Sequence, residues 1–528
     1  MTVRSASNPL ARHSRESGDP GQQRASLVTL GPRFRRDDAR RGLKRISTLL
    51  TALALTSCSL APTYHRPSVP SAQNWKTVEG WRPANPADGA PRPDWWKAFQ
   101  DPQLDDLVAR ALAHNATIEQ AAANYRQARA VTRENRASLF PSITADGQVT
   151  HSYSGGTTIA NGNQVVSGGR ATTSYRVDGQ ASWQPDFFGQ VTNQVRSARY
   201  TEQARLADLA NARLTIEGEL ATDYLSLRAA DAMIASLTAT VDGYRRSLEI
   251  ATNRYNAGVV ARTDVFQAQS QLASAQSDLE GERRSRAQFE NAIAVLIGEN
   301  PAAFTLAANP AVWTPITPDV PPVLPSALLE RRPDVASAER AVAAANAQIG
   351  VARAAFFPTI GITAQGGLNS NSLSQLFSAP LTFWSLGASL AQTIFDFGAR
   401  SARVQQTRAA YDAAAANYRQ TALTAFQEVQ NDLVAQAVLA RQEALLRTAA
   451  EAANRSEETL RNQYRAGLIV YSNVVTAQAT AQAARRALLQ GQLDRQNAAV
   501  ALVQALGGGW TEADIGRGAP VTPSGQAG

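Results

Sequence analysis

The 528-residue sequence contains only one cysteine, two methionines and four histidines. A single cysteine allows neither a disulfide within the chain nor a cysteine-based zinc cluster. The histidines are scattered along the sequence, at His13, His65, His114 and His151. No paired glycines precede a helix that would cradle a phosphate. We therefore expect a protein that is not an enzyme and that binds no metal or cofactor.

Long apolar runs are also missing from the sequence. Outside a short segment at residues 46–56, no stretch approaches the roughly 20 apolar residues that a membrane-spanning helix needs. If the mature chain crosses a bilayer, it must do so with strands.

The formal net charge of +8 is concentrated at the start of the chain. Residues 1–57 hold eleven basic and four acidic side chains, and the remainder holds 41 basic and 40 acidic ones. The body of the protein is therefore electrically balanced, which argues against a nucleic-acid partner.

The basic N-terminal region has the order of a secretory signal. A basic segment at residues 40–45 precedes the apolar segment 46–56, and small residues close that segment just before Cys58. This ending resembles a bacterial lipobox, in which Cys58 would be lipidated; the alternative is an inert buried thiol. Ser59, rather than an aspartate, follows the cysteine, which favours sorting to the outer membrane. We assign residues 1–57 to an N-terminal extension and a lipoprotein signal peptide.

The rest of the chain contains an internal duplication. A shift of 209 aligns residues 189–298 with 398–507, and a shift of 217 aligns residues 107–141 with 324–358. The matched landmarks are Phe140-Pro141 with Phe357-Pro358, Phe188-Gly189 with Phe397-Gly398, and Tyr255 to Gly258 with Tyr464 to Gly467. Because the two shifts differ, the segment between the Phe-Pro and Phe-Gly pairs is eight residues longer in the first copy.

Each copy contains one very long predicted helix, at about residues 189–257 and 398–466. Neither segment contains proline, and apolar residues recur at intervals of three, four or seven, which is typical of coiled coils. At about 1.5 Å per residue, each rod would be roughly 100 Å long. Shorter helices, stacked end to end in pairs, would match each rod in length. The predicted pairs are residues 104–139 with 263–298 and residues 324–357 with 473–506.

Between the helices of each copy, the hydrophobic period changes from about 3.6 to 2. This predicts hairpins at about residues 142–185 and 359–393, with a loop expected over the Gly-, Asn- and Thr-rich residues 155–172. Each strand has one apolar and one polar face and is long enough to cross a membrane when tilted. A half-exposed soluble hairpin is the alternative.

Four strands cannot close a barrel, yet every backbone donor and acceptor in lipid needs a partner. Barrels begin at about eight strands, and an eight-stranded barrel is filled by its own side chains. The sequence therefore predicts that three or more copies associate if the protein is a conduit.

These features divide the mature chain into five parts. A Pro- and Trp-rich tether at residues 58–103 ends in an aromatic anchor and is followed by the first repeat, 104–298. A proline-rich linker, 299–323, leads to the second repeat, 324–507, and a flexible tail occupies residues 508–528.

Together the features resemble the TolC-type outer-membrane efflux channels, in the lipidated NodT/OprM-like branch. The motifs that carry the resemblance are the lipobox at Cys58, Trp-Gln-Pro-Asp-Phe-Phe-Gly at 183–189, Arg-Arg-Pro-Asp-Val at 331–335 and the paired Tyr-x-x-Gly turns. The resemblance implies a mixed α+β membrane protein. Three chains, with four strands each, would form a twelve-stranded outer-membrane β-barrel that continues as an α-helical coiled-coil tunnel in the periplasm.

The resemblance also implies a function and partners. The homotrimer would be a passive exit duct for small toxic compounds, and would contribute to antibiotic resistance. It would dock onto a periplasmic membrane-fusion adaptor and an inner-membrane transporter of the RND type. Its only bound group would be a covalent lipid, such as palmitate, on Cys58. Two alternatives remain at this point: a conduit for type I protein secretion, and a structural coiled-coil lipoprotein that forms no channel.

In such channels the Tyr-x-x-Gly turns form the periplasmic tip, where the tunnel narrows. The tip turns here contain Tyr255, Gly258 and Gly467. The resemblance places the periplasmic gate at Thr263, Asp264, Tyr464, Asn473 and Thr476.

Within this gate, Thr263 and Asp264 match groups that bond the second coil, and Tyr464 matches the tyrosine that meets the aspartate. Asn473 and Thr476 stand where relatives often carry carboxylates, so we expect the closed state to depend more heavily on Asp264 and Tyr464. The alternative for Asp264 is an N-cap of the helix that begins there.

Overall fold

A computed structural model provides the structure of the protein. It describes residues 59–70, 75–76, 94–160, 163–309, 313–318, 331–377 and 382–510. All of these residues belong to one compact unit, Ser57–Gly528. The predicted N-terminal extension and signal peptide, Cys58, about half of the predicted tether and most of the predicted tail lie outside the described residues.

The described chain repeats one order of helices and hairpins in two copies, and residues 319–330, which correspond to most of the first helix of the first copy, lie outside the described residues. The first copy contains α1 (Pro102–His114), α2 (Ala116–Ala137), β1 (Ser142–Ala160), β2 (Asn163–Trp183), α3 (Gln190–Asn256) and α4 (Arg262–Leu296). The second contains α5 (Pro333–Ala354), β3 (Thr359–Ser370), β4 (Thr382–Ala391), α6 (Ala399–Arg465) and α7 (Tyr471–Ala505). The rods α3 and α6 are both 67 residues long, and α4 and α7 are both 35 residues long.

The helix expected over residues 104–139 is broken in two. Asn115 has an extended backbone conformation, and its side-chain oxygen accepts hydrogen bonds from the backbone N–H groups of Thr117 and Ile118. It therefore caps the start of α2 and ends α1, because an asparagine that bonds its own backbone competes with helix continuation.

The loop expected over residues 155–172 is also shorter than the sequence indicated. Strand β1 continues to Ala160, and the pairing of β1 with β2 continues from Gly156↔Ser167 to Ala160↔Asn163 after an irregularity at Ser154/Gly156. Backbone hydrogen bonds to the partner strand stabilise this segment, although its sequence lacks the alternation that marks a strand.

The four strands form one antiparallel sheet in the order β1-β2-β3-β4. Residues opposite one another share a face, so rows across the sheet show the character of each face. One row is Thr144–Gln180–Gln365–Ser385, and the neighbouring row is Ile143–Ala181–Ala364–Leu386. One face of the sheet is therefore polar and the other apolar, and Ile143 and Leu386 on the apolar face are 82% and 71% exposed.

The pairing of β2 with β3 joins the two copies within the chain. On the polar face, Arg176 Nε donates to Asp178 Oδ1 at 2.7 Å, and Gln365 Nε2 donates to Asp178 Oδ2 at 2.7 Å. Gly367 lies opposite Asp178, where a Cβ would meet the Val177 carbonyl oxygen and the Cβ of Asp178. These bonds fix the register at the junction of the copies.

The end of the predicted tether belongs to the largest hydrophobic core. Trp95, Trp96 and Phe99 are buried against α1 and α3, and Trp95 Nε1 donates to Glu217 Oε2 at 3.1 Å. The aromatic anchor is therefore part of a core, whereas the sequence suggested an anchor outside one. Burial raises the pKa of Glu217 to about 7.

The start of the linker is fixed to the first repeat by a buried ionic network. Asp231, 5% exposed, accepts hydrogen bonds from Arg228 Nη1 at 2.9 Å and Arg286 Nε at 2.7 Å. It also accepts a bond from the backbone N–H of Asn309 at 3.1 Å. Because the carboxylate bonds two guanidinium groups and a backbone donor, its burial is compensated.

The short helices stack end to end through equivalent junctions in the two copies. Asn115 Nδ2 donates to the Leu296 carbonyl at 2.8 Å, and Arg332 Nη1 donates to the Ala505 carbonyl at 3.1 Å. Gly298 and Gly507 have positive φ angles, and a Cβ at these positions would meet the carbonyl oxygens of His114 and Arg331, respectively. Glycine is required at both junctions.

Arg332, from the Arg-Arg-Pro-Asp-Val motif, joins three helices at the second junction. Its Nε and Nη2 donate to the carboxylate of Asp334 at 3.0 and 2.7 Å, and its Nη1 also donates to Glu428 of α6 at 2.6 Å. The arginine is 9% exposed. This motif therefore links the end of α7 to the start of α5 and to the rod α6 beside them.

We expect Arg332→Gln to destabilise the protein, because it removes the cation that serves two carboxylates and one helix-terminal carbonyl. Loss of such a partly buried network costs about 2 kcal/mol, since Glu428 is half exposed. The measurement is thermal unfolding in detergent followed by circular dichroism, in which the midpoint should fall by a few degrees. Arg403→Gln is the control, because Arg403 is exposed and bonds Gln406 on its own helix. Equal midpoints for both variants would contradict this role.

Candidate functional site

The two rods end in the same turn. Gly258 has φ +72°, and the N–H of Val259 donates to the Arg254 carbonyl at 2.9 Å. Gly467 has φ +77°, and the N–H of Leu468 donates to the Gln463 carbonyl at 3.0 Å. Both turns are Schellman motifs, in which a glycine with positive φ reverses the chain and satisfies the last helical carbonyls.

The two turns lie together and share a small core. Tyr464, Tyr471 and Val474 of the second copy are buried with Ala251 and Ala268 of the first. The rings of Tyr464 and Tyr471 lie 5.2 Å apart. The tips of the two coiled-coil hairpins therefore pack on each other within one chain, and we call this region the tip cluster.

Arg254 makes a polar contact across the tip cluster. Its Nη1 donates to the carbonyl of Tyr464 at 3.1 Å, and its guanidinium carbon lies 4.7 Å from the centre of the Tyr464 ring. The ring face attracts the cation, and the carbonyl, which lies at the C-terminal end of α6, also accepts a bond from the N–H of Gly467 at 2.9 Å. Arg254 was not among the residues selected from the sequence.

The predicted contact between Asp264 and Tyr464 is electrostatic in this structure. The Tyr464 hydroxyl is buried and makes no hydrogen bond within the described chain. Burial raises the pKa of Tyr464; the neighbouring Arg254 lowers that pKa, and the charge of Asp264 raises it further. Asp264 thus lies near the ring of Tyr464 without a hydrogen bond to it.

Asp264 is not the N-cap of its helix. The cap position of α4 is Ala261, which has no side-chain cap, and Asp264 lies in the first turn. A carboxylate there interacts favourably with the N-terminal end of the helix dipole. The N-cap alternative is therefore wrong, because the helix begins three residues earlier than an N-cap at Asp264 would require.

The remaining predicted gate residues are exposed. Thr263 lies in the first turn of α4, and Asn473 and Thr476 lie in the first two turns of α7. Thr476 Oγ1 donates to the carbonyl of Ser472 on its own helix at 3.0 Å. Tyr255, at the first tip turn, is 40% exposed. Of the predicted residues, the structure buries Tyr464 in the tip cluster, leaves Asp264 half-buried in the first turn of α4, and leaves these four exposed.

Two further polar contacts join the coiled coils above the tip cluster. Arg486 of α7 bonds Asp278 of α4 at 2.8 Å, and Thr240 Oγ1 of α3 donates to Gln482 at 2.9 Å. Both members of the ion pair are about half exposed, and such a pair contributes only about 0–1 kcal/mol. The buried contacts of the tip cluster, with Arg254, therefore hold the two coiled-coil hairpins together more strongly than this ion pair does.

Within the described ranges, no group of three or more His, Cys, Asp or Glu side chains is arranged to hold a metal ion. Among the same residues, no helix combines the length and apolar composition needed to cross a membrane.

Both repeats match a model of a known protein family. The model described as "Outer membrane efflux protein" matches residues 107–299 and 324–508, which are the two repeats. The chain belongs to the outer membrane efflux protein family.

Curated relatives in this family match almost end to end. Outer membrane protein OprJ of Pseudomonas aeruginosa is 32% identical over 476 residues, covering 88% of this chain and 96% of OprJ. The toluene efflux pump outer membrane protein TtgC of Pseudomonas putida is 32% identical over 472 residues, with the same two coverages. The structure of the outer-membrane channel OprN superimposes with a TM-score of 0.78 at 27% identity, covering 86% of this chain and all of OprN.

If the tip cluster closes the conduit that this family's name implies, removing Arg254 should loosen it. We expect Arg254→Gln to raise the single-channel conductance of the resting protein in planar bilayers. A cation–π contact and its hydrogen bond are together worth about 1–2 kcal/mol, which would change the ratio of open to closed forms roughly 5- to 30-fold. Tyr464→Phe should have little effect, because the lost hydroxyl makes no bond.

Arg262→Gln is the matched control, since Arg262 lies at the same tip and is exposed, with its guanidinium over Phe266 of its own helix. If Arg254→Gln and Arg262→Gln conduct alike, the tip cluster does not hold the conduit closed.

Proposed function

We propose that this protein is the outer-membrane channel of a tripartite efflux system. It is the passive exit duct for small toxic compounds that an inner-membrane pump and a periplasmic adaptor deliver to it. The observation that carries the proposal is a two-faced, four-stranded sheet with open edges, mounted on duplicated rods of 67 residues. Each rod is about 100 Å long, enough to extend far from a membrane that holds the sheet.

The open edges of the sheet support assembly into a closed barrel. Strands β1 and β4 are the edges of the described sheet, and in lipid their free backbone groups need partners. Three copies with four strands each give a twelve-stranded barrel, wide enough to leave a lumen. The polar rows then line the lumen and the apolar rows face lipid.

The N-terminal segment supports a lipid anchor at the same membrane. Ser59 Oγ donates to Asn193 Oδ1 at 2.9 Å, and Arg353 Nη1 donates to the Leu60 carbonyl at 3.4 Å. Asn193 lies in the first turn of α3, and Arg353 in the last turn of α5, so both lie at the sheet end of the helices. A lipid on Cys58, the residue before Ser59, would therefore enter the membrane that the sheet spans.

The relatives support efflux as the transport function. TtgC carries the name of a toluene efflux pump, and OprN that of an outer-membrane channel. These names favour efflux over type I protein secretion and over a scaffold without a channel. We expect the pump to be of the RND type and to select the cargo, because the polar wall is generic.

The proposal is tested by deleting the gene and measuring growth against a panel of antibiotics, dyes and organic solvents. The deletion should sensitise cells to several members of the panel, and the wild-type gene should restore resistance. Purified protein should also conduct current in planar bilayers. Unchanged sensitivity with loss of a secreted protein would support type I secretion instead, and a protein that never conducts would support the scaffold.

We expect Cys58→Ser to abolish acylation of the protein, because only the cysteine thiol accepts the lipid at a lipobox. The measurement is incorporation of radioactive palmitate in growing cells. Ser57→Ala is the control, since it keeps both the cysteine and a small residue before it. Palmitate incorporation into the Cys58→Ser protein would refute the assignment.

A further inference from the structure

The contact between the two repeats within one chain predicts the contact between neighbouring copies of the chain. Within one chain, β2 of the first repeat pairs with β3 of the second. In a closed ring, the remaining edges, β4 of one copy and β1 of the next, must pair. Strand β4 is the second strand of its hairpin, as β2 is, and β1 is the first strand of its hairpin, as β3 is. The pairing of β4 with β1 is therefore equivalent to the pairing of β2 with β3.

The structure shows that the repeats are equivalent at the sheet. The pair Ser142↔Ser182 in the first hairpin maps onto Thr359↔Ala391 in the second when β1 is shifted by 217 and β2 by 209. At the base of the sheet, Trp183 Nε1 donates to the Leu139 carbonyl at 3.0 Å. At the position equivalent to this bond in the second copy, Gln392 Nε2 donates to the Phe356 carbonyl at 3.1 Å.

The same shifts, applied to the register of β2 with β3 inside the chain, predict the register of β4 with β1 between neighbouring chains. Gly179 lies opposite Gly366 where β2 pairs with β3. Gly179 corresponds to Ala388, and Gly366 corresponds to Val149. We propose that β4 of one copy pairs antiparallel with β1 of the next, with Ala388 opposite Val149. This inference rests on the proposed channel, because it needs a closed barrel.

The side chains along this seam agree with the register. The same shifts place Trp384 opposite Tyr153 and Leu390 opposite Gly147. All of these residues lie on the apolar face, and Trp384 and Tyr153 are 82% and 70% exposed in the single chain. Directly opposed aromatic residues stabilise neighbouring strands. A slip by one residue would place the apolar set of one strand against the polar set of the other.

The seam continues below the sheet through a pair of phenylalanines. Inside the chain, Phe188 stacks on Phe357 with ring centres 4.9 Å apart. Their equivalents are Phe397 and Phe140, which are 92% and 70% exposed. Phe397 differs from Phe188 in having φ +52°, and its ring lies edge-on against Phe395. The ring of Phe140 from the next copy therefore packs against this aromatic pair.

Further along the rods, the same shifts predict a polar contact between neighbouring copies. Ser337 Oγ of α5 donates to Asp208 Oδ1 of α3 at 2.6 Å. The equivalent positions are Gln120 of α2 and Asn417 of α6, both of which are exposed in the single chain. Two amides can donate to and accept from each other, so Gln120 of one copy and Asn417 of its neighbour form a second fixed point on the seam.

The test is disulfide cross-linking with pairs of introduced cysteines. Ala388→Cys with Val149→Cys should give covalent three-chain products on a non-reducing gel after mild oxidation of the membrane-inserted protein. The control, Ala388→Cys with His151→Cys, uses the same face but is displaced by two residues. Its Cα atoms would lie about 7–8 Å apart, beyond the reach of a disulfide, so it should give almost no product. The parent chain, with Cys58 alone, should give none.

A second pair keeps the test independent of strand packing. Gln120→Cys with Asn417→Cys changes exposed helix positions and should also yield covalent three-chain products. If the control pair cross-links in preference to the predicted pair while the protein still conducts current, the register is wrong and the channel function stands. If none of the pairs cross-links and the protein does not conduct, the seam and the proposed function fail together.

Discussion

Strands β1 and β4 are the edges of the described sheet, and the outer sides of these edges are the constraint on which the rest of the structure depends. Each N–H or C=O left without a partner in lipid costs several kcal/mol, so the sheet of one chain cannot cross a membrane alone. In the trimer that we propose, other copies would close these edges, enclose a lumen lined by the polar rows and arrange the rods in a ring below it. Membrane insertion, assembly and conduction would then all follow from the need to pair these edges.

The duplication provides one geometry that is used twice, and the differences between the copies are informative. Gly298 and Gly507 make the same close approach, but Asn115 closes one junction with a single amide bond where Arg332 joins three helices. At the tips, Arg254 of the first copy reaches across to Tyr464, whereas the equivalent residue of the second copy is Gln463. Because each of the three chains that we propose carries two similar repeats, the framework of the conduit approaches six-fold symmetry. The differences between the repeats reduce the symmetry of the closed conduit to three-fold.

The sequence predicted the features that depend on periodic patterns. The rods follow from 67-residue stretches without proline, and the hairpins follow from a change in hydrophobic period. The break at Asn115 was missed because a side chain that caps a helix is also compatible with a helix interior. Pairing beyond Ser154 was missed because backbone bonds, not side-chain alternation, hold that segment. The Arg254 contact joins residues 210 positions apart, which no local pattern reveals.

The central claim is that the sheet of one chain is completed only by other chains. Native mass spectrometry of the mature protein, extracted from membranes in mild detergent, tests it most directly. We predict a single dominant species with the mass of three lipidated chains. A species with the mass of one chain that remains folded in the membrane extract would contradict the account.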